Sequence, residues 1–205
     1  METTPTSPVL VLFAHPALHK SRVNRALVRA AREVDGVTVH DLYESYPDLD
    51  IDVAAEQKLL IDHDIIVMQH PFFWYSVPAI FKEWMDLVLE HGWAYGSEGT
   101  RLQGKWVMSA ISTGGGAGAY AREGFNRYTV REFLRPIEQT VALCRMRYLP
   151  PFLVQGTHRM RPQEIDAHAA DYRRLLEALR DGRIDAERVG KLERINDALI
   201  GTSES

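Results

Sequence analysis

Polar side chains that can bind an anion follow the first apolar run of the sequence, residues 8–14. His15 comes directly after this run, and Ser21 and Asn24 begin a helix-forming segment, residues 21–32. Free backbone N–H groups and the helix dipole make the start of a helix favourable for a phosphate. The three side chains can donate further hydrogen bonds to its oxygens. The cluster therefore predicts a phosphate site, with a plain helix N-cap as the alternative for Ser21.

Four consecutive aromatic residues follow another apolar run, residues 64–70. They are Phe72, Phe73, Trp74 and Tyr75. Side chains alternate in direction along an extended segment, so at most about half of these rings can pack inward. The other rings must line a cleft or an interface, and a planar heteroaromatic ligand fits such a wall. Packing in a satellite core or a dimer contact is the alternative for any one of them.

A glycine-rich tract, residues 112–118, follows a further apolar run, residues 105–111. Glycine lets backbone N–H groups approach a ligand closely, and it also adopts positive φ. Residues 114–119 match the Gly-x-Gly-x-x-Ala pattern of dinucleotide sites, but that pattern belongs to the first strand–helix turn. We therefore expect backbone donors for the polar edge of a planar ring, with a flexible turn as the alternative.

Apolar runs rich in β-forming residues alternate with amphipathic segments along the whole chain. The expected strands are 8–14, 37–42, 64–70, 105–111 and 147–154, and the expected helices are 21–32, 53–61, 79–91, 128–143, 162–180 and 183–200. This alternation predicts an α/β fold with an open parallel sheet and helices on both faces. Because ligands bind beyond the carboxyl ends of such strands, the three loops should form one site. A phosphate pocket, an aromatic wall and a rim of donors match the parts of flavin mononucleotide, FMN.

Composition sets the broad class of the protein. The chain has 205 residues, 45% hydrophobic and 25% charged, which is typical of a globular domain. Its net charge of −4 disfavours a nucleic-acid partner. The single cysteine and the lack of a signal peptide or a membrane-spanning run predict a cytoplasmic protein. We expect a polar leader (1–7), one domain (8–180) and a C-terminal helical extension (181–205), with residues 43–51 irregular and 202–205 loose.

Seven segments together carry a family resemblance: Ala14-His15-Pro16, Ser21-Arg22-Val23-Asn24, residues 50–57, Gln69-His70-Pro71-Phe72-Phe73-Trp74-Tyr75-Ser76-Val77-Pro78, His91-Gly92-Trp93-Ala94-Tyr95-Gly96, Ser112-Thr113-Gly114-Gly115 and Leu149-Pro150-Pro151-Phe152. Over about residues 8–180 the chain resembles the flavodoxin-like NAD(P)H:quinone oxidoreductases. Within them it most closely resembles the small ancillary proteins of glutathione-regulated potassium-efflux systems. The tract from 69 to 96 is the most specific part of this resemblance.

The resemblance implies a flavodoxin-like five-stranded sheet of order 2-1-3-4-5, FMN rather than FAD, NADH or NADPH as electron donor, and a homodimer. The residues that it implies for the cofactor are His15, Ser21, Arg22, Val23 and Asn24 for the phosphate, Phe72, Phe73, Trp74 and Tyr75 for the ring faces, and Ser112, Thr113, Gly114 and Gly115 for the polar ring edge. Larger relatives use a tyrosine and then a histidine after the glycine loop. Tyr120 matches the tyrosine as a catalytic candidate, but no histidine lies between Tyr120 and His158.

Two functions from different classes are compatible with these residues and with the resemblance. The first is an FMN-dependent enzyme that transfers a hydride from NAD(P)H to a quinone or a similar planar acceptor, and azo or nitro compounds would use the same pocket. The alternative is a regulatory subunit that activates a glutathione-gated potassium:proton antiporter at the inner face of the cell membrane. In that case the flavin has a structural or sensing role.

The remaining polar residues carry weaker indications. His63, His70 and His91 lack the spacing of a metal site and are expected to be structural or at the surface. Cys144 lacks the neighbours that activate a nucleophile. Three arginines could attract a nicotinamide phosphate, although arginine-rich helix faces are usually solvated: Arg22, Arg122 and Arg127. Residues 93–96 and the helix from Ala79 are candidates for a dimer interface by family likeness alone.

Overall fold

A computed structural model describes residues 6–199 of the chain. The strands are β1 (Val9–Phe13), β2 (Val37–Asp41), β3 (Ile65–Pro71), β4 (Trp106–Thr113), β5 (Arg147–Tyr148) and β6 (Phe152–Gln155). The helices are α1 (Arg22–Arg32), α2 (Leu42–Ser45), α3 (Val53–Asp62), α4 (Ala79–Val88), α5 (Val130–Phe133), α6 (Arg135–Leu143), α7 (Pro162–Arg180), α8 (Ala186–Val189) and α9 (Asn196–Leu199). Leu18–Lys20 and Ala117–Tyr120 form single 3-10 turns.

The strands form one parallel sheet of order β2-β1-β3-β4-β5, and β6 also pairs with β4. This confirms the flavodoxin-like α/β fold with strand order 2-1-3-4-5. Strands β1 and β3 are buried along their whole length. Such burial on both faces explains why their sequences are continuous apolar runs rather than alternating ones.

The sheet separates two hydrophobic cores because side chains alternate across a strand. Val9, Val11 and Phe13 of β1 face a core closed by α1 and α7. Leu10 and Leu12 face the opposite core, which is closed by α3, α4 and α6. The helices therefore hold the central strands rigidly from both sides, and the loops at the strand ends are presented on a fixed edge.

The expected fifth strand, residues 147–154, is two short strands in the structure. Both β5 and β6 pair with β4, and Pro150 and Pro151 lie between them. Proline has no N–H for the ladder, so the pairing is interrupted there and resumes after it. In contrast, β4 runs on to Thr113, so that two residues expected in the glycine loop belong to the strand.

Helix boundaries differ from the expected ones at several places. The helix expected at 128–143 is divided into α5 and α6 at Leu134, just before Pro136, which cannot continue the helical hydrogen bonds. The helix expected at 183–200 is two single turns, α8 and α9, and residue 200 lies outside the described residues. Helix α4 ends at Val88 rather than near 91, and a short helix, α2, occupies part of the segment expected to be irregular.

The C-terminal segment packs on the core beside α7 rather than extending into solvent. Ile195 is fully buried there. The side chain of Asn196 bonds the backbone of Leu153 in both directions, accepting from its N–H at 2.8 Å and donating to its carbonyl at 3.1 Å. This contact covers the free edge of β6, which would otherwise be open to pairing with another chain. The leader expected at 1–7 and the loose end expected at 202–205 fall mostly or wholly outside the described residues.

A buried carboxylate connects three elements of the fold. Glu56 of α3 is fully buried and accepts hydrogen bonds from Tyr46 at 2.6 Å, His40 at 2.7 Å and Trp84 at 2.8 Å. Burial alone would raise the pKa of this carboxyl, but the three hydrogen bonds outweigh it and hold the pKa below its usual value. One side chain thus connects β2, α3 and α4.

We expect Glu56→Gln to lower the free energy of unfolding at neutral pH by about 2 kcal/mol, because it weakens bonds to a buried anion. The depressed pKa makes this contribution complete above the unfolded pKa of about 4.3 and removes it as the pH falls through the folded value. Denaturant titrations at several pH values would therefore converge for variant and wild type in acid. Glu98→Gln, at an exposed position, is the control, and equal stability of all three proteins at neutral pH would contradict the assignment.

Candidate functional site

A cavity of about 490 Å³ opens at the carboxyl ends of β1, β3 and β4. Its lining comes from all three loops singled out in the sequence: His15, Lys20, Ser21, Arg22, Val23, Asn24, Pro71, Phe72, Phe73, Ser112 and Gly114, together with Thr157 and His158. Parallel pairing of the three strands places their ends side by side, which is why loops distant in sequence meet. Trp74, Tyr75, Thr113, Gly115 and Tyr120 are predicted site residues that do not line this cavity.

The first turn of α1 forms one end of the cavity. Ser21 is the N-cap, and its Oγ accepts from the backbone N–H of Asn24 at 3.2 Å and from its side-chain amide at 3.1 Å. The cap interpretation of Ser21 is therefore correct, and it places this hydroxyl at the cavity as well. The amides of Arg22 and Val23 precede the first possible helical acceptor, so they are available to an anion.

Asn24 connects this helix to the end of β4. Its side chain is almost fully buried, and its Nδ2 donates to Ser112 Oγ at 2.8 Å. Its Oδ1 is buried and has no hydrogen-bond partner among residues 6–199. An unpaired buried acceptor is costly and uncommon. At a cavity wall it fits a ligand that brings a hydroxyl donor.

His15 presents a defined hydrogen-bonding group to the same space. Burial lowers the pKa of its imidazole, so the neutral form predominates at pH 7. Its Nδ1 accepts the backbone N–H of Ala17 at 3.0 Å. The ring proton therefore resides on Nε2, which is left to donate. The ring also contacts Phe73 edge-to-face, with centroids 5.9 Å apart.

The four aromatic residues divide between wall, core and surface. Phe73 and the buried Phe72 line the cavity, whereas Trp74 is 92% exposed. Tyr75 stacks on Phe133 with centroids 4.9 Å apart. The φ angles of Trp74 and Tyr75 are 51° and 60°, so the segment is not extended and its side chains do not alternate. Only the first two rings therefore form the expected wall.

Two glycines of the rim, Gly114 and Gly115, are required for space and not for positive φ. Positive φ is absent from residues 114–118. A Cβ on Gly114 would lie 2.5 Å from Nε2 of His158, and one on Gly115 would lie 3.2 Å from the ring of Tyr120. Thr113 is buried, and its Oγ1 donates to the carbonyl of Gly115 at 2.7 Å. It shapes the rim without lining the cavity.

Tyr120, the predicted catalytic tyrosine, ends a 3-10 turn behind the wall. Its ring packs on Phe72 with centroids 5.9 Å apart, and burial raises the pKa of its hydroxyl. Sequence reasoning noted Lys20 in the first polar loop without giving it a role, and it missed two lining residues, Thr157 and His158. The last two follow β6, and the signal that could have found them is that β6 is itself a strand ending at this edge.

The other candidates lie apart from the cavity. Residues 6–199 hold no cluster of histidine, cysteine and acidic side chains suited to a metal ion. His70 is fully buried, which lowers the pKa of its imidazole to about 4, and burial raises the pKa of the Cys144 thiol.

The segment 93–96 folds inward, with Ala94 fully buried and the carbonyl of Gly96 accepting from Arg145 at 3.1 Å. Within the part that the structure describes, no helix is long and apolar enough to cross a membrane.

The chain is similar to several known proteins. The chain is 48% identical over 164 residues to the glutathione-regulated potassium-efflux system ancillary protein KefG of Serratia proteamaculans (strain 568), covering 80% of this chain and 90% of that protein. General stress protein 14 of Treponema denticola, solved in complex with FMN, is 42% identical with a TM-score of 0.80, covering 83% of this chain and 98% of the other. An NADPH-quinone reductase from P. pentosaceus is 30% identical with a TM-score of 0.74, covering 82% and 96%.

The family model described as a flavodoxin-like fold matches residues 7–176. That match includes every strand and the three loops around the cavity. The chain therefore belongs to this flavodoxin-like family.

Proposed function

We propose that the protein binds FMN in this cavity and reduces a quinone or a similar planar acceptor with NADH or NADPH. The observation that carries the proposal is that one cavity joins a free helix N-terminus, two aromatic side chains and a glycine rim. The FMN complex of the Treponema protein and the quinone reductase of P. pentosaceus support it by similarity. FMN supplies two-electron chemistry when bound, because its ring accepts a hydride and passes the electrons to the acceptor.

The residues present fit such a cofactor. The amides of Arg22 and Val23 and the hydroxyl of Ser21 would bind its phosphate. The orphaned Oδ1 of Asn24 would accept from a hydroxyl of the ribityl chain, which would satisfy an otherwise unpaired buried atom. Nε2 of His15 is a further donor for the same region.

The rest of the lining would bind the ring. Phe73 offers an apolar surface for one face, and the rim at Ser112 and Gly114 lets backbone groups come close to the polar edge. Fixed donors at that edge stabilise negative charge that develops on reduction, because they need no reorganisation. Tyr120 packs on Phe72 and does not line the cavity, so its role in this proposal is to position that ring.

The purified protein should be yellow or take up added FMN, and NADH or NADPH should bleach the flavin spectrum until a quinone restores it. Asn24→Ala should weaken FMN binding about tenfold or more, because it removes a buried acceptor and its bond to Ser112. Asn126→Ala, at a polar side chain that does not line the cavity, is the control. A colourless protein that takes up no FMN would refute the proposal.

A regulatory role remains the second candidate, and the 48% identity to an ancillary protein of a potassium-efflux system favours it. In that role the protein, in the cytoplasm, would bind such a membrane system and raise its transport activity. The Asn24→Ala variant separates the two roles. If it loses quinone reduction yet still activates potassium efflux in cells, then docking is independent of catalysis.

We further propose a homodimer whose interface covers exposed aromatic side chains of the loops that follow β3 and β4. Trp74 is 92% and Phe125 90% exposed, and their segments meet where the hydroxyl of Tyr75 donates to Oδ1 of Asn126 at 3.2 Å. A cluster of exposed rings is characteristic of an interface. The outward face of α4 carries Lys82, Glu83 and Asp86 and is less suited to this purpose than the family likeness implied.

Replacing both Trp74 and Phe125 by serine should therefore convert a dimer to a monomer, since aromatic anchors dominate interface energies. Sedimentation equilibrium at micromolar concentration measures this directly. Leu143→Ser removes an exposed apolar side chain from α6 and should leave the dimer intact. A monomeric wild type, or a double variant that dimerises as well as wild type, would contradict the proposed interface.

A further inference from the structure

The loop after β6 is attached to the glycine rim. Strand β6 pairs with the end of β4, so that Gln155 stands opposite Thr113. Beyond this pair the backbone N–H of Gly156 donates to the carbonyls of Thr113 at 3.0 Å and Gly115 at 2.9 Å. The φ of Gly156 is +80°, which turns the chain over the rim. The two residues that follow are therefore held above the cavity.

The same loop is joined to the phosphate end of the cavity. The guanidinium of Arg22 donates to the carbonyl of Thr157 at 3.2 Å. Thr157 also lines the cavity, as does Arg22 itself. The loop thus spans from the first turn of α1 to the rim, and its position is fixed from both sides.

His158 occupies the space that a side chain at residue 114 would fill. Its Nε2 would lie 2.5 Å from a Cβ placed on Gly114. The imidazole lines the cavity, and neither of its nitrogens has a hydrogen-bond partner among residues 6–199. Gly114 therefore serves to admit this ring, and the ring has donor and acceptor capacity that the protein leaves unused.

We propose that His158 contacts the flavin, donating a hydrogen bond to the polar ring edge beside Gly114. This inference rests on the proposed FMN site. Because an N–H donor at that edge is most valuable when the ring carries negative charge, His158 binds the reduced cofactor more tightly than the oxidised one. This histidine lies in a loop 44 residues after Gly114, whereas the segment between Tyr120 and His158 contains no histidine.

The test replaces His158 by alanine and compares it with His19→Ala, an exposed histidine outside the cavity lining. For His158→Ala we expect about tenfold weaker binding of oxidised FMN by the apoprotein. Riboflavin affinity should fall by the same factor, since the contact is to the ring and not to the phosphate. A further tenfold loss for the reduced cofactor lowers its midpoint potential by about 30 mV. His19→Ala should match wild type in all three measurements.

A double-mutant cycle tests the packing that places the imidazole. Gly114→Ala puts a methyl group where the ring lies, so it should displace His158 and lower the potential like His158→Ala. Combining the two substitutions should then cost less than the sum of the single effects. Strictly additive effects on FMN affinity would overturn the proposed arrangement.

Two results would overturn the ring contact itself. Unchanged flavin affinity and potential in His158→Ala would show that the imidazole does not touch the cofactor. A loss of FMN affinity with unchanged riboflavin affinity would assign the contact to the phosphate instead. Both results can be distinguished from failure of the proposed function. In that case the wild-type protein binds no flavin, and the inference fails as well.

Discussion

The hydrogen bond from Asn24 Nδ2 to Ser112 Oγ is the contact on which the site depends. It is buried and 2.8 Å long, and it links residues 88 positions apart. One partner lies in the first turn of α1 and the other near the end of β4. The bond therefore holds the free N–H groups of the helix at a set distance from the glycine rim. A ligand that reaches both must have an anionic end and a polar edge with a matching separation.

The parallel sheet makes this contact possible and limits where it can occur. Strands β1, β3 and β4 are paired in register and buried, so their ends form one rigid edge. The helices on the two faces fix the sheet, and the Glu56 network joins the edge strand β2 to α3 and α4. The side chains that line the cavity lie mostly on loops, which contribute few residues to the two hydrophobic cores. Such loops can differ in sequence without altering the fold, and this chain is similar both to a protein named as a quinone reductase and to one named as an efflux ancillary protein.

The sheet and the convergence of three loops were predictable, because apolar runs that lack alternation indicate parallel strands and parallel strands end together. Details that depend on the path of the backbone could not be predicted. Positive φ at Trp74 turns the ring outward, and no property of the aromatic tract indicates it. The position of His158 follows from the pairing of β6 with β4, and the sequence predicted only one continuous strand over residues 147–154 there. The need for glycine at position 114 likewise comes from a side chain that is distant in the sequence, that of His158.

A crystal structure of the protein with FMN would show directly whether the cavity is the flavin site. We expect the phosphate against the amides of Arg22 and Val23, the ribityl chain within hydrogen-bonding distance of Asn24 Oδ1, and the ring between Phe73 and the rim at Gly114. Density for FMN at any other surface, or a cleft filled by the protein's own side chains under saturating FMN, would contradict this site.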